Sequence, residues 1–228
     1  MRERCADSTP TDSATAMGVN LVAEGYSPRM SLRDREIGHR VAQHLQAGWE
    51  VLDLGSGTGR LSRWLRDRVG IHPTLADVVE FGNRVHGLPY VRLEDPRSTP
   101  FEDGSFDAVL MLFVLHHVPG WEDQETLLAE AARVGSRRLI LVEDTPTSRA
   151  DRAFNVAWDW ALNLRHGVPK PFSFRTVEGW RQVFRRLRLT ELRSETYRPL
   201  WPTLGTYHHT LFVLEVPNVS ESAAAPER

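Results

Sequence analysis

The residues best able to do chemistry in this chain sit in one short run, Val51-Leu-Asp-Leu-Gly-Ser-Gly-Thr-Gly59. An apolar strand leads through Asp53 into three glycines at alternate positions, Gly55, Gly57 and Gly59, and a helix is expected directly after them. Glycine at such a turn permits positive φ and lets a ligand approach the main chain. The helix start beyond offers free N–H groups that suit a carboxylate or phosphate. Three ligands compete for the loop. A nucleotide phosphate loop closes on Gly-Lys-Ser/Thr, but the only lysine is Lys170. A dinucleotide loop needs Gly-x-Gly-x-x-Gly, but here the last position is Arg60 and the third glycine arrives one residue early. S-adenosylmethionine carries an amino-acid end where a dinucleotide carries its pyrophosphate. Asp53 can pair with its ammonium, and Gly55 and Gly57 allow close approach. The competing reading is a tight turn with no ligand, which would make three alternating glycines a needless entropic cost.

The elements that must hold this run are legible as alternating apolar and amphipathic stretches. Helical spacing covers 31–46, with Leu32, Ile37, Val41 and Leu45 on one face. Strands are expected at 50–54, 73–78, 89–93, 106–112 and 138–142, with helices at 60–69 and 123–134. The 106–112 run is apolar throughout, as a strand buried on both faces should be. Repeated β-then-α order implies a mostly parallel sheet with right-handed crossovers. After residue 151 the rhythm changes to an aromatic helix, a Pro-containing break at 168–171 and another helix at 177–186. The last two strands, 189–196 and 210–216, are separated by too few residues for a helical crossover and must pair antiparallel. The expectation is an α/β fold: a seven-stranded Rossmann-like sheet, mostly parallel with one antiparallel strand, and helices on both faces.

Composition narrows the partners. The 28 Lys+Arg against 30 Asp+Glu leave a formal net charge of −2, so nothing global draws the chain to nucleic acid or an anionic membrane. One cysteine, Cys5, excludes an intramolecular disulfide and a cysteine-built zinc site. No apolar run approaches the length of a membrane span and no signal segment is evident, so a cytoplasmic protein is the expectation. Residues 1–20 and 217–228 read as disordered arms around a single domain at 21–216, with a substrate-cover insertion at about 150–175. Oligomeric state is left open.

These pieces together resemble the class I S-adenosylmethionine-dependent methyltransferases, most closely their small-molecule, type 11 branch. The resemblance is carried by Asp53-Leu-Gly-Ser-Gly-Thr-Gly59, by Leu75-Ala-Asp77, by Glu94-Asp95, by Pro100-Phe-Glu-Asp-Gly-Ser-Phe-Asp-Ala-Val109 and by Leu115-His-His-Val118, in family order and spacing. It implies S-adenosyl-L-methionine as cofactor, held by Asp53, Gly55, Ser56, Gly57, Gly59, Asp77, Val78, Asp95 and Phe113. Asp77, at a strand end beside the loop, can accept both ribose hydroxyl protons. Asp95 resembles the residue that reads the adenine amino group. The chain departs from the pattern at Pro96, which has no N–H to offer the ring. A slip of one residue would put Glu94 on the amino group instead, and Asp95 is preferred here.

For chemistry, methyl transfer needs alignment and sometimes a base. His117 can take a proton from a hydroxyl or amine nucleophile, against a loop histidine bonded to backbone. Glu143 can serve as base or bind a substrate cation, against a helix-capping role. His116, Trp158, Tyr207 and His208 are expected to face substrate, with His209 a candidate by position. Trp158, Trp160, Phe172 and Phe174 would suit an apolar or planar acceptor, against plain helix packing. Adjacent histidines point to opposite strand faces and no carboxylate cluster accompanies them, so no metal is expected. The reading is methyl transfer to a small molecule, with O-, N- and C-nucleophiles all open. The alternatives are ring closure of the cofactor releasing methylthioadenosine, and a cofactor-binding subunit without catalysis.

Overall fold

The computed structural model describes residues 30–162, 173–198 and 208–217. The two expected terminal arms, Tyr207 and Phe172 therefore lie outside the described residues, as does the side chain of Trp158.

The chain order is α1 (Leu32–Ala42), β1 (Glu50–Leu54), α2 (Arg60–Val69), β2 (His72–Asp77), β3 (Tyr90–Arg92), β4 (Phe106–Leu112), α3 (Trp121–Val134), β5 (Gly135–Asp144), α4 (Arg149–Leu162), α5 (Val177–Arg186), β6 (Thr190–Tyr197) and β7 (His209–Glu215). The seven strands form one sheet in the order β3-β2-β1-β4-β5-β7-β6. β7 runs antiparallel to both β5 and β6, and the other pairs are parallel. The expected fold class is therefore met, including the single reversed strand.

Successive residues of the central strands feed two apolar layers. Leu139 and Leu141 of β5 pack with α3 and α5 around Leu128, Trp180 and Phe184. Ile140 and Val142 pack on the other face with Ile37, Val41 and Leu65 of α1 and α2. This period-2 alternation, apolar on both sides, fixes the register of β5 because a one-residue slip would exchange its two faces. Ser31 caps α1 by accepting from the Asp34 N–H at 3.0 Å, and Thr176 caps α5 in the same way at Gly179. None of the described residues of α4 joins either apolar layer. That helix leaves the carboxyl end of β5, at the sheet edge where open α/β folds bind ligands.

Candidate functional site

At the end of β1 the chain turns through the glycines into α2. Gly55, Gly57 and Gly59 all have left-handed φ, at 78°, 54° and 70°. A Cβ on Gly55 would stand 2.5 Å from a methyl of Val114, and one on Gly59 would strike the Leu75 side chain. Those two glycines serve close packing. A Cβ on Gly57 meets no protein atom within 4 Å, although Gly57 forms part of a cleft wall. That position therefore faces the open cleft. The N–H groups of Gly55 and Ser56 both donate to the Ala76 carbonyl, at 2.8 and 3.1 Å, tying the turn to β2.

Asp77 closes β2 and completes this corner. Its Oδ2 accepts from the Gly57 N–H at 2.8 Å and its Oδ1 from the Val79 N–H at 2.9 Å. Burial raises its carboxyl above the ordinary range, against the pull of those backbone donors. Asp53 lies deeper, 3% exposed, and its Oδ2 accepts from the Ser62 hydroxyl of α2 at 2.5 Å. Burial pushes Asp53 up to about 6, with the Ser62 bond opposing and the charge of Asp77 adding to the rise.

The cleft measures about 760 Å³, within the range of small-molecule sites. Gly55 and Gly57 form one wall, Asp77 and Val78 the next, then Glu94 and Pro96, with Phe113, Val114 and His117 opposite. A second hollow of about 610 Å³ lies at the amino end of the strands, among Trp49, Arg137 and Arg188, where no motif residue reaches.

The wall after β4 is held by an unusual backbone and two buried pairs. Phe113 has φ 61°, a conformation that costs a bulky residue about 1–2 kcal/mol. Its N–H donates to the Val142 carbonyl at 2.8 Å, and its ring lies under the Arg33 guanidinium, 4.2 Å from it. Glu143 and Asp144, the last residues of β5, point to opposite faces of the sheet. Glu143 Oε1 accepts from the Val114 and Leu115 N–H groups at 2.9 and 2.7 Å, and its Oε2 accepts from His116 Nδ1 at 2.6 Å. On the other face Asp144 Oδ1 meets His209 Nδ1 at 2.6 Å, and the His209 ring stands edge-on to Phe113, 4.7 Å between centroids. Burial lowers His209. Burial would raise Asp144, but the His209 hydrogen bond and nearby positive charge outweigh it and the carboxyl is lowered. Neutral His209, donating from Nδ1 to ionised Asp144, accounts for both directions.

Several expectations change against this geometry. His116 does not face the cleft: it is 3% exposed, bonded to Glu143 and stacked on Phe174 at 5.2 Å. Glu143 is 1% exposed with both oxygens engaged, so it holds the loop and has no free reach for a base's work. Asp95 is turned aside into a bidentate pair with Arg97, at 3.0 and 3.1 Å, while Glu94 stands on the wall. Of the two acids it is Glu94 that lines the cleft, because the local turn supplies Asp95 with its own cation. Asp53, Ser56 and Gly59 shape the turn from behind the wall. His208 lies beyond the cleft, between Asp151 and Arg198. Gly55, Gly57, Asp77, Val78, Phe113 and His117 do line it. Sequence reasoning named Asp144 only by its place after the fifth strand, as a substrate-facing candidate, and did not assign Arg33. The Glu-Asp pair ending β5 was the available signal, since adjacent strand residues must serve opposite faces. Among the described residues no group of three or more His, Cys, Asp or Glu is placed to hold a metal, and no helix is long and apolar enough to cross a membrane.

The fold brings the glycine turn and the acid closing β2 together at the carboxyl edge of an α/β sheet. Residues 52–140 match a family model described as "Methyltransferase domain". The chain is 30% identical to the methyltransferase GfsG of Streptomyces halstedii over 137 residues, which is 52% of this chain and 48% of that protein. It is 32% identical to the demethylmenaquinone methyltransferase of Tropheryma whipplei over 134 residues, 54% of this chain and 52% of that one. The chain thus spans about half the length of the curated relatives it matches. A S-adenosylmethionine-dependent methyltransferase structure from Methanosarcina mazei shares the fold, with a TM-score of 0.60, 19% identity and coverage of 78% and 97% of the two chains. Residues 52–140 thus carry the pattern of a methyltransferase domain, and the chain has the fold of S-adenosylmethionine-dependent methyltransferases.

Proposed function

We propose that the protein transfers a methyl group from S-adenosyl-L-methionine to a small-molecule acceptor. The observation that carries the reading is the corner formed by Gly57 and Asp77: open space where a Cβ would be, beside a buried carboxylate with lone pairs left for hydroxyl donors. Bound there, the cofactor supplies a methyl group on a sulfonium, reactive toward in-line attack. Asp77 would hold the ribose hydroxyls, Val78 would cover an apolar ring face, and Glu94 would accept from an exocyclic amino group. Ionised Asp53, behind the turn, favours the cofactor's ammonium end through its field. His117, on the cleft wall, is the group placed to take the proton that a hydroxyl or amine nucleophile gives up on methylation. Glu143 and His116 position the loop that carries it.

The relative from Tropheryma whipplei is named for a demethylmenaquinone acceptor, which agrees with a small-molecule substrate and leaves the nucleophilic atom open. A cytoplasmic location is part of the proposal and fits a chain with one cysteine. The test combines calorimetric titration of S-adenosylhomocysteine with product analysis after incubation with methyl-labelled cofactor and candidate acceptors. Saturable binding and release of S-adenosylhomocysteine are expected. Methylthioadenosine as the product would replace methyl transfer by ring closure of the cofactor, and absence of binding would overturn both.

A further inference from the structure

One buried amide interrupts the apolar face of α3. The helix buries Gln124, Leu127, Leu128, Ala131 and Val134, the spacing of a single face turned to the sheet. The last four are apolar and join the core layer, whereas Gln124 is 0% exposed and polar. A leucine or methionine there would continue the stripe with no polar atom to satisfy. Burying an amide is costly unless its donors and acceptor are paired, so its partners show what the residue holds.

Those partners lie off the sheet. Gln124 Nε2 donates to the Leu115 carbonyl and to the Ser173 carbonyl, both at 2.8 Å, and Oε1 accepts from Arg175 Nε at 2.9 Å. Two carbonyls can face only the NH2 end of the amide, and a guanidinium, which only donates, can face only its oxygen. Arg175 is itself buried, seated between the rings of Trp121 and Trp180 at 4.9 and 5.3 Å. Its Nη2 donates to the Trp121 carbonyl and to Glu125 Oε1, each at 2.9 Å. The anchored guanidinium thus holds the amide in one orientation.

The Leu115 carbonyl is also the one that closes the 3₁₀ turn Leu115–His117, by accepting from the Val118 N–H at 3.0 Å. Leu115 is therefore gripped at both backbone groups by buried side chains, its N–H by Glu143 of β5 and its carbonyl by Gln124 of α3. Within the turn the His117 ring lies 4.1 Å from that of His116, and His116 stacks on Phe174, which stands between Ser173 and Arg175. His117 and Val118 line the cleft.

We infer that Gln124, oriented by Arg175, is a positioning residue that aims His117 into the cleft. This rests on the methyltransferase reading, which gives His117 a proton to take, and deepens it. Glu143 fixes where the turn begins, at the Val114 and Leu115 N–H groups. Where the turn ends depends on the Leu115 carbonyl, because rotating that peptide swings the residues after it. Gln124 ties this carbonyl to Ser173 through one planar amide.

The test is NMR of the full chain carrying isotope-labelled histidine, with the His117 ring signal assigned by its loss in His117→Ala. Gln124→Met keeps the volume and continues the apolar stripe, and is expected to shift or broaden that signal with and without S-adenosylhomocysteine. Gln124→Glu keeps an oxygen for Arg175 and loses both donors; it is expected to do the same, and it decides the matter if the methionine variant does not fold. Val183→Ala opens a cavity in the same apolar layer from α5, and is expected to lower Tm while leaving the His117 signal in place. An unmoved signal in the Gln124 variants, or an equal displacement in Val183→Ala, would overturn the inference. On an acceptor, Gln124→Met is expected to cut kcat at least about tenfold with KM for S-adenosylmethionine within about threefold. That loss is expected to disappear in a His117→Ala background, and losses that add in full would overturn the positioning role. Failure of S-adenosylhomocysteine to bind would instead remove the cofactor reading, while the His117 signal of the free chain would still report on Gln124.

Discussion

Gly57→Ala separates the ligand's claim on the glycine turn from the fold's. At φ 54° an alanine pays the left-handed penalty, about 1 kcal/mol, and its methyl meets no protein atom within 4 Å. For a chain of this length that cost lowers Tm by only about 2–4 °C. The same substitution at Gly55 or Gly59 drives the methyl into Val114 or Leu75 and should damage the fold itself. The Gly57 methyl enters the cleft wall beside Asp77, where the nucleoside would lie. Displacing even one ligand atom there costs more than about 1.4 kcal/mol, a tenfold loss of affinity. Calorimetry with S-adenosylhomocysteine, run beside a thermal melt, should therefore show a nearly intact protein that binds at least tenfold more weakly. Wild-type affinity in the alanine variant would refute the argument, because the cofactor could not then occupy the space that Gly57 leaves open.

Asp53 predicts a pH effect. Its folded pKa, about 6, lies above the ordinary 3.8, so the folded chain holds this proton more tightly than the unfolded one. The stability it contributes is complete below about pH 4 and is lost as pH rises through 6, on the order of 3 kcal/mol. Asp53→Asn should flatten denaturation midpoints across that interval, and an unchanged pH profile would count against the burial argument. Glu143→Ala removes the acceptor of two backbone N–H groups and the Glu143 contact of His116 Nδ1 in the interior and should lose several kcal/mol, roughly 2–4, with weakened S-adenosylhomocysteine binding. Glu143→Gln keeps an oxygen for both N–H groups and should bind within about threefold of wild type. If the alanine variant bound equally well, the loop would not depend on this brace. His117→Ala should keep cofactor affinity within a few fold and cut turnover about a hundredfold on a hydroxyl or amine acceptor; full turnover would leave the histidine a wall residue.

The parts of the site legible in the sequence were those in which chemistry and chain proximity coincide. The glycine turn, Asp77 at a strand end and His117 in the loop after β4 each lie within a few residues of the element that presents them. Strand rhythm was equally local, because alternation and apolar runs report burial directly. Asp95 and Glu94 show where this stops: the two acids are adjacent, and only the turn that gives Asp95 to Arg97 decides which one reaches the cleft. Glu143 offers the same lesson, since its sequence allows a base and its partners, 27 to 29 residues away, make it a brace.

The sequence by itself determined the sheet, its one reversed strand and the corner where the glycine turn meets Asp77, because periodicity, glycine spacing and short connections act over a few residues. Tertiary structure alone decided which face of each strand end is spent on holding the loop, and that α4 turns Asp151 and Asn155 inward while Trp160 meets solvent. Those outcomes depend on partners distant along the chain and on the cost of burying a polar group. Neither quantity is written in the local pattern of residues.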